Sequence, residues 1–449
     1  MGWCTKMASI MLSISTHLSI RYVRSFGGMP LVLTSPIGTM ASRRWRPSPG
    51  TTAPAVTRAQ VLLPLTATWS FSTPAMSKMP KETEKPISVS SPLLITGRAS
   101  EDTTKILCPA DPKRATLLIF ETPHVFQRDS KWWALIGAQR EDLTGAVVYY
   151  TSDDRRTWTF GAEIEFSDTS LHALGYMFEC PILFSLRDQA NGELFDVLMF
   201  CPQGMESERE RYNNIFQCGY VVGHLRGNFF EVFTPFTEFD SGFEFYAPQV
   251  MSNVGDENHV VLMAWLGNAD EDDHPSWDFR WMHMLTYPRA LTLQRGKILQ
   301  QPVKQLDQAL LLQPVTLTEE GAIAELVGAR TFRIQASLDV SQQPVVLSLW
   351  DTRGKALAIT VDQSALIVDR AGSRYTVGGE LRRRSVSPRT VHTFELLFDG
   401  SALEIFFDDG AEAFTGRVYL HESLEGVLFQ TAEGFSAEAQ VEKLLMGQL

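Results

Sequence analysis

Acidic side chains are almost missing from the first hundred residues. Glu82 and Glu84 stand there against 11 Lys and Arg, a balance of +9, whereas residues 101–449 hold 29 basic and 50 acidic residues, a balance of −21. The whole-chain charge of −12 disfavours nucleic acid and anionic membrane surfaces as partners. No apolar run approaches the roughly 18 residues of a membrane-crossing helix, so none is expected. Cysteine is scarce: Cys4, Cys108, Cys180, Cys201 and Cys218 are odd in number and form no CxxC pair. A disulfide framework is therefore disfavoured, and a reducing, cytoplasmic setting is the default expectation. The histidines lack HExxH or CxxC surroundings, so core or surface roles are expected for them, and no metal site. Helical 3.6-residue periodicity is also nearly absent, which excludes helical and alternating βα classes.

What is present is strand. From about Ala115, short segments such as "KWWALIGA", "AVVYYTS", "LFDVLMFC", "IFQCGYVVG" and "HVVLMAWLG" follow one another. Turn residues separate them at the roughly 8–12-residue spacing of an all-β sandwich, barrel or propeller. The pattern pauses in the connector "QPVKQLDQALLLQPVTLTEE" (301–320) and resumes with cleaner alternation, where FDG and DDG mark hairpin turns. That second series reads as a β-sandwich. Residues 1–100 follow neither pattern. They hold 10 of the 23 prolines and are rich in Ser, Thr and Arg. A transit peptide and disorder are two readings of that composition.

One acid draws attention. Glu179 lies in "ALGYMFECPILFSL", with Pro181 two residues on. Burial raises a carboxyl pKa, as a general acid working near neutral pH needs. A glutamate paired with an arginine at a strand end fits the local sequence equally well. "NADEDDHPSW" (Asn268–Trp277) gathers Asp270, Glu271, Asp272, Asp273 and His274, but the spacing matches no metal-binding loop, and a solvated loop is the expectation. Arg382, Arg383 and Arg384 read as a solvated hairpin edge, and Cys180 as a packed small residue.

"YMFECP", "FEFYAPQ", "MAWLGNAD", "WMHMLTYPRALTL", "KILQQPVKQL" and "LEIFFDDGAEAFTGRVY" occur in this order. From Pro123 to the C-terminus the chain resembles glycoside hydrolase family 32, the β-fructosidases, and within it the bacterial sucrose and sucrose-6-phosphate hydrolases. The resemblance implies a five-bladed β-propeller followed by a C-terminal β-sandwich, here a partial propeller in residues 111–312 and the sandwich in 325–449; residues 1–110, which follow neither pattern, are expected to be irregular. It implies a retaining β-fructofuranosidase acting on sucrose or sucrose-6-phosphate, with no metal or organic cofactor. Glu179 would be the general acid/base, and Tyr246 and Trp265 would line the fructose pocket. A catalytically dead sugar-binding protein and a fructosyltransferase are the alternatives. Retention also needs a nucleophilic carboxylate, which the family takes from an Asp-Pro-Asn-Gly motif, and an Arg-Asp pair from Phe-Arg-Asp-Pro. Neither motif occurs here; Phe120, Glu121, Thr122 and Pro123 stand in place of the second.

A change of reading frame accounts for most of the gap. "LIFET" written CTC ATT TTC GAG ACC and read from its third base gives His-Phe-Arg-Asp. The same offset turns "WSFSTPAM" into a segment containing Phe-Tyr-Thr-Gly-His. It lets "FGGMPLVLTS" become Trp-Gly-His-Ala-Thr-Ser-Thr-Asp, and "KMAS" become Asn-Gly-Phe. All four are family motifs in family order. Residues ~4–122 are thus expected to be a shifted reading of the first blades. The nucleophile itself does not emerge, because its codon would need a G where a Cys4 codon ends in a pyrimidine.

Overall fold

The computed structural model describes residues 22–26, 29–33, 93–96, 105–108, 117–120, 123–271, 273–279, 281–306, 312–315, 326–430 and 437–444. Within residues 1–110 two short hairpins are described, Tyr22–Phe26 with Met29–Leu33 and Leu93–Thr96 with Lys105–Cys108. The rest of that segment, and Glu121 and Thr122 with it, lies outside the described residues.

The chain is all-β, with propeller blades followed by a sandwich. Three blades lie among the described residues. In the first, Leu117–Phe120 and His124–Arg128 pair in turn along Lys131–Arg140, followed by Gly145–Ser152 and Thr159–Glu163. The second is the meander Met177–Arg187, Leu194–Gln203, Gly219–Arg226 and Phe229–Glu238, with Glu165–Phe166 added in parallel at its outer edge. The third runs Tyr246–Gly255, Val260–Leu266, Arg289–Gln294 and Lys297–Pro302. The first strand of the second blade, Met177–Arg187, packs against Lys131–Arg140 on one side and Tyr246–Gly255 on the other.

The strand Leu194–Gln203 shows why the sequence reads as unbroken apolar runs. Successive side chains of a strand face opposite ways. Leu198 and Phe200 enter a core with Trp133, Leu135 and Val147 of the first blade. Val197, Met199 and Cys201 enter another with Leu262 and Leu291 of the third. Both faces are covered, so no polar alternation survives, and each side chain buried contributes about 1.5–3 kcal/mol. The blades meet closely at Gly137, where a Cβ would lie 1.8 Å from the Phe178 carbonyl oxygen. Only glycine permits that approach.

The sandwich consists of two antiparallel sheets. One orders Ala437–Leu444, Thr331–Asp339, Val391–Asp399, Ala402–Phe407 and Glu412–Arg417; the other orders Leu381–Ser385, Ala365–Asp369, Gly354–Val361, Val345–Asp351 and Leu424–Gln430. A further strand, Leu312–Val315, upstream of residue 325, pairs with Ala437–Leu444. Alternate residues such as Val345, Leu347 and Leu349 fill the space between the sheets. The FDG turn appears as anticipated, with Gly400 at φ +63° joining Val391–Asp399 to Ala402–Phe407.

A charged seam joins propeller and sandwich. Arg289 is fully buried; it donates to Asp240 at 3.0 Å and to Glu404 at 2.6 Å, and also bonds Gln300 and Thr415. The arginine triplet belongs to this seam as well, which corrects its reading as a solvated edge. Arg382 is buried, stacks over Phe243 and donates to the Gly242 carbonyl. Arg384 pairs with Glu238 and Glu412. Leu381–Ser385 is a sheet edge, but the propeller covers alternate residues of it.

Candidate active site

The site is built at the starts of two neighbouring inner strands. Along Met177–Arg187, Glu179 lies opposite Cys201 but Ile182 opposite Met199, so one extra residue is accommodated between them. Cys180 takes φ +49° at this bulge, and Pro181, which has no N–H to give to the ladder, follows. The third blade repeats the device: Tyr246 lies opposite Trp265, Gln249 opposite Met263, Ala247 takes φ +47°, and Pro248 follows. A bulge re-aims the side chain beside it. Here two bulges bring Glu179 and Tyr246 together across the blade boundary.

Glu179, Tyr246 and Trp265 therefore converge. The Tyr246 hydroxyl donates to Glu179 Oε2 at 2.6 Å, and the Tyr246 and Trp265 rings meet edge to face at 6.4 Å. Glu179 is 8 % exposed and Tyr246 3 %. Burial pushes the Tyr246 hydroxyl well above its ordinary value, so it remains a donor. One residue absent from the sequence reading joins them. Gln203, at the end of Leu194–Gln203, is buried and donates from Nε2 to Glu179 Oε2 at 3.1 Å and to the Tyr246 hydroxyl. The signal available was a lone amide closing an apolar strand in "CPQG". Cys180, Cys201 and Cys218 are all buried. Burial pushes the Cys201 thiol well up, which suits packing and not reactivity.

His124 fixes the other side of the acid-bearing strand. Its Nδ1 accepts from the Leu183 N–H at 3.3 Å, and its ring stacks on Phe126 at 5.0 Å. Burial lowers its imidazole to about 4 from 6.5. Between those values the unfolded chain takes up a proton that the folded chain refuses. The contribution to stability is therefore intact above about pH 6.5 and declines as pH falls towards 4. Denaturant unfolding at several pH values should show parent and His124→Gln converging in stability across that window. A constant difference would contradict this role.

The loop after Trp265 is buried, which corrects the expectation of a solvated one. Asn268, Glu271, His274 and Ser276 are nearly inaccessible, while Asp270 and Asp273 are exposed; Asp272 lies outside the described residues. The sandwich covers the loop. Tyr419 bonds Ser276 at 3.0 Å and His274 Nδ1 at 3.3 Å, and Arg417 donates to the Met282 carbonyl at 2.8 Å. Burial raises Glu271 to about 7 and lowers His274 to about 4. Beyond the loop, His283 meets the Trp265 ring edge to face at 4.9 Å. Gly267, at φ +155°, lets the two approach: a Cβ there would lie 2.5 Å from His283 Nδ1 and 2.8 Å from Trp265 Nε1. The sandwich thus supports one wall of the site. Among the described residues no group of three or more His, Cys, Asp or Glu is arranged to hold a metal ion.

The description "Glycosyl hydrolases family 32 N-terminal domain" matches residues 98–302, and "Glycosyl hydrolases family 32 C terminal" matches 299–445. The first match begins upstream of Pro123, so it includes part of the segment read as frame-shifted. Sucrose-6-phosphate hydrolase of Bacillus subtilis (strain 168) is 33% identical over 306 residues, 67% of this chain and 61% of that protein. The enzyme of the same name from Staphylococcus xylosus is 32% identical over 326 residues, 70% of this chain and 63% of that protein. Among solved structures, sucrose-6-phosphate hydrolase from Lactobacillus gasseri superposes with a TM-score of 0.67 at 25% identity, covering 77% of this chain and 70% of that one. A Bombyx mori β-fructofuranosidase variant in complex with sucrose gives 0.62 at 25% identity, covering 76% and 68%. The chain belongs to glycoside hydrolase family 32. It spans about three-fifths of the length of these two curated relatives.

Proposed function

We propose that the protein is a retaining β-fructofuranosidase in ancestry and site design, acting on sucrose or sucrose-6-phosphate, and that the chain as written hydrolyses them very poorly. The convergence of Glu179, Tyr246 and Trp265 supports the site, and the names of its relatives support the substrate class. In the retaining reaction a carboxylate attacks the anomeric carbon of fructose while a second carboxylic acid, here Glu179, protonates the leaving oxygen. The same glutamate then takes a proton from water, and that water releases fructose. Trp265 and Tyr246 would hold the furanose against the attacking group.

The attacking carboxylate is what this sequence lacks. No aspartate precedes Asp102, no Asp-Pro-Asn-Gly occurs, and Glu121 and Thr122 replace the family's Arg-Asp pair. We attribute the loss of the Arg-Asp pair to the shifted reading of residues ~4–122; the shift alone does not return the Asp-Pro of the nucleophile motif, which needs further sequence differences. Proton transfer alone supplies about 10²–10⁴-fold, against the roughly 10⁶–10¹⁷-fold of whole enzymes. The test is sugar release from sucrose and from sucrose-6-phosphate, alongside calorimetric titration with each. Binding with no turnover agrees with the proposal. Rapid release of glucose and fructose contradicts the impairment, and absence of both binding and turnover contradicts the assignment of the site.

A further inference from the structure

We infer that Gln203 is a positioning residue that sets the hydrogen-bond polarity of the acid/base site, acting through Glu179 and Tyr246 and not through the sugar. The inference rests on the reading of Glu179 as the proton carrier. The amide nitrogen of Gln203 has two hydrogens. It donates to Glu179 Oε2 and to the Tyr246 oxygen, while the single hydroxyl hydrogen of Tyr246 goes to the same Oε2. The three groups close a ring. Because the tyrosine oxygen accepts from the amide, its proton is directed at the carboxylate. Turning the amide over would set its oxygen against a carboxylate oxygen, so while Glu179 is ionised only one orientation is satisfied.

The backbone that carries the amide is held in place. The Gln203 main-chain carbonyl accepts from the Tyr176 N–H at 2.8 Å, and a Cβ on Gly175 would lie 2.3 Å from that carbonyl oxygen. Gly204 follows at φ +79° and ends the strand. Met177 lies directly opposite Gln203 in the ladder, two residues ahead of Glu179. The short approach to the acid-bearing strand thus also fixes the residue that orients the acid. A neutral donor suits the task. The acid/base must be protonated in one half-reaction and ionised in the next, and an arginine in this place would hold it ionised.

Two measurements on the chain as written test the role. The first needs no ligand: a double-mutant cycle of Gln203→Leu and Glu179→Leu, read by denaturant unfolding. Coupling of about threefold or more in the unfolding equilibrium constant supports a direct interaction, and anything smaller overturns it, since independent sites add to within roughly twofold. The second is fructose affinity by calorimetry from about pH 4 to 8. Gln203→Leu is expected to weaken binding about tenfold and to move the pH profile to higher pH, with Gln203→Glu moving it further because two adjacent carboxyls share a proton. A profile unmoved by either substitution, in variants whose melting shows them folded, overturns the inference. If the parent binds no fructose at any pH, the fructoside reading of the site fails by itself, and the ligand-free cycle still decides the role of Gln203.

Discussion

Glu179→Gln should lower sucrose hydrolysis by about 10²–10⁴-fold in a chain whose reading frame is restored and whose Asp-Pro-Asn-Gly is completed by substitution, so that it and Arg-Asp-Pro are both present. The glutamine keeps the size of the side chain and can still accept from Tyr246 and Gln203, so the pocket need not collapse. What it loses is the proton for the leaving oxygen. The loss should therefore depend on the leaving group. An aryl β-fructoside, whose phenolate departs without protonation, should be cleaved in its first step far less impaired than sucrose. Equal losses on both substrates would mean that Glu179 has a structural role and not one of proton transfer.

Arg289→Met should destabilise the protein by about 3–5 kcal/mol. Asp240 and Glu404 are almost inaccessible and share this one guanidinium, which also bonds Gln300 and Thr415. Removing it leaves two carboxylates buried without their counter-charge. A domain's whole stability is about 5–15 kcal/mol, so the change removes a large part of it. Asp240 and Arg289 belong to the propeller, and Glu404 and Thr415 to the sandwich, so both parts should lose stability together. Denaturant unfolding followed by tryptophan fluorescence measures the cost. Adding Glu404→Gln to Arg289→Met should recover part of it, because one stranded charge is then removed. A cost below about 1 kcal/mol would show that water reaches the seam and solvates the carboxylates.

Much of this architecture is legible in the sequence, for reasons that particular strands make clear. "LFDVLMFC" is apolar on both faces because a blade lies on either side of it, and "VVLSLWD" alternates because one side of its sheet is the sandwich core. Glu179 stands out as an acid among apolar neighbours. The loop Asn268–Trp277 does not reveal itself, because the cover over His274 and Ser276 comes from Tyr375 and Tyr419, about a hundred residues or more further along the chain. Arg382 and Arg384 mislead in the same way, since Phe243, Glu238 and Glu412 bury them from elsewhere in the chain. Gln203 is hidden by its type: a buried amide announces no chemistry until its partners are known.

One signal was present and unread. Phe178-Glu179-Cys180-Pro181 and Phe245-Tyr246-Ala247-Pro248 share the form F-x-x-P, and each contains a bulge with a left-handed third residue. Phe120 and Pro123 end a third such tetrad. There the pairing moves from Phe120 opposite Ala138 to His124 opposite Leu135, so that four steps on one strand match three on the other. Recurrence at 58 and 67 residues is the spacing of successive blades, and at the second and third tetrads it marks where Glu179 and Tyr246 reach the site.

The central claim is that this chain keeps the proton carrier and the pocket wall of a β-fructosidase while lacking its nucleophile. The most direct test is the rate of glucose and fructose release from sucrose by the chain as written, set beside a chain in which both Asp-Pro-Asn-Gly and Arg-Asp-Pro are restored, at equal concentration. The account predicts rapid release by the restored chain and a rate at least about 10²-fold lower from the chain as written. Comparable rates from the two would contradict it.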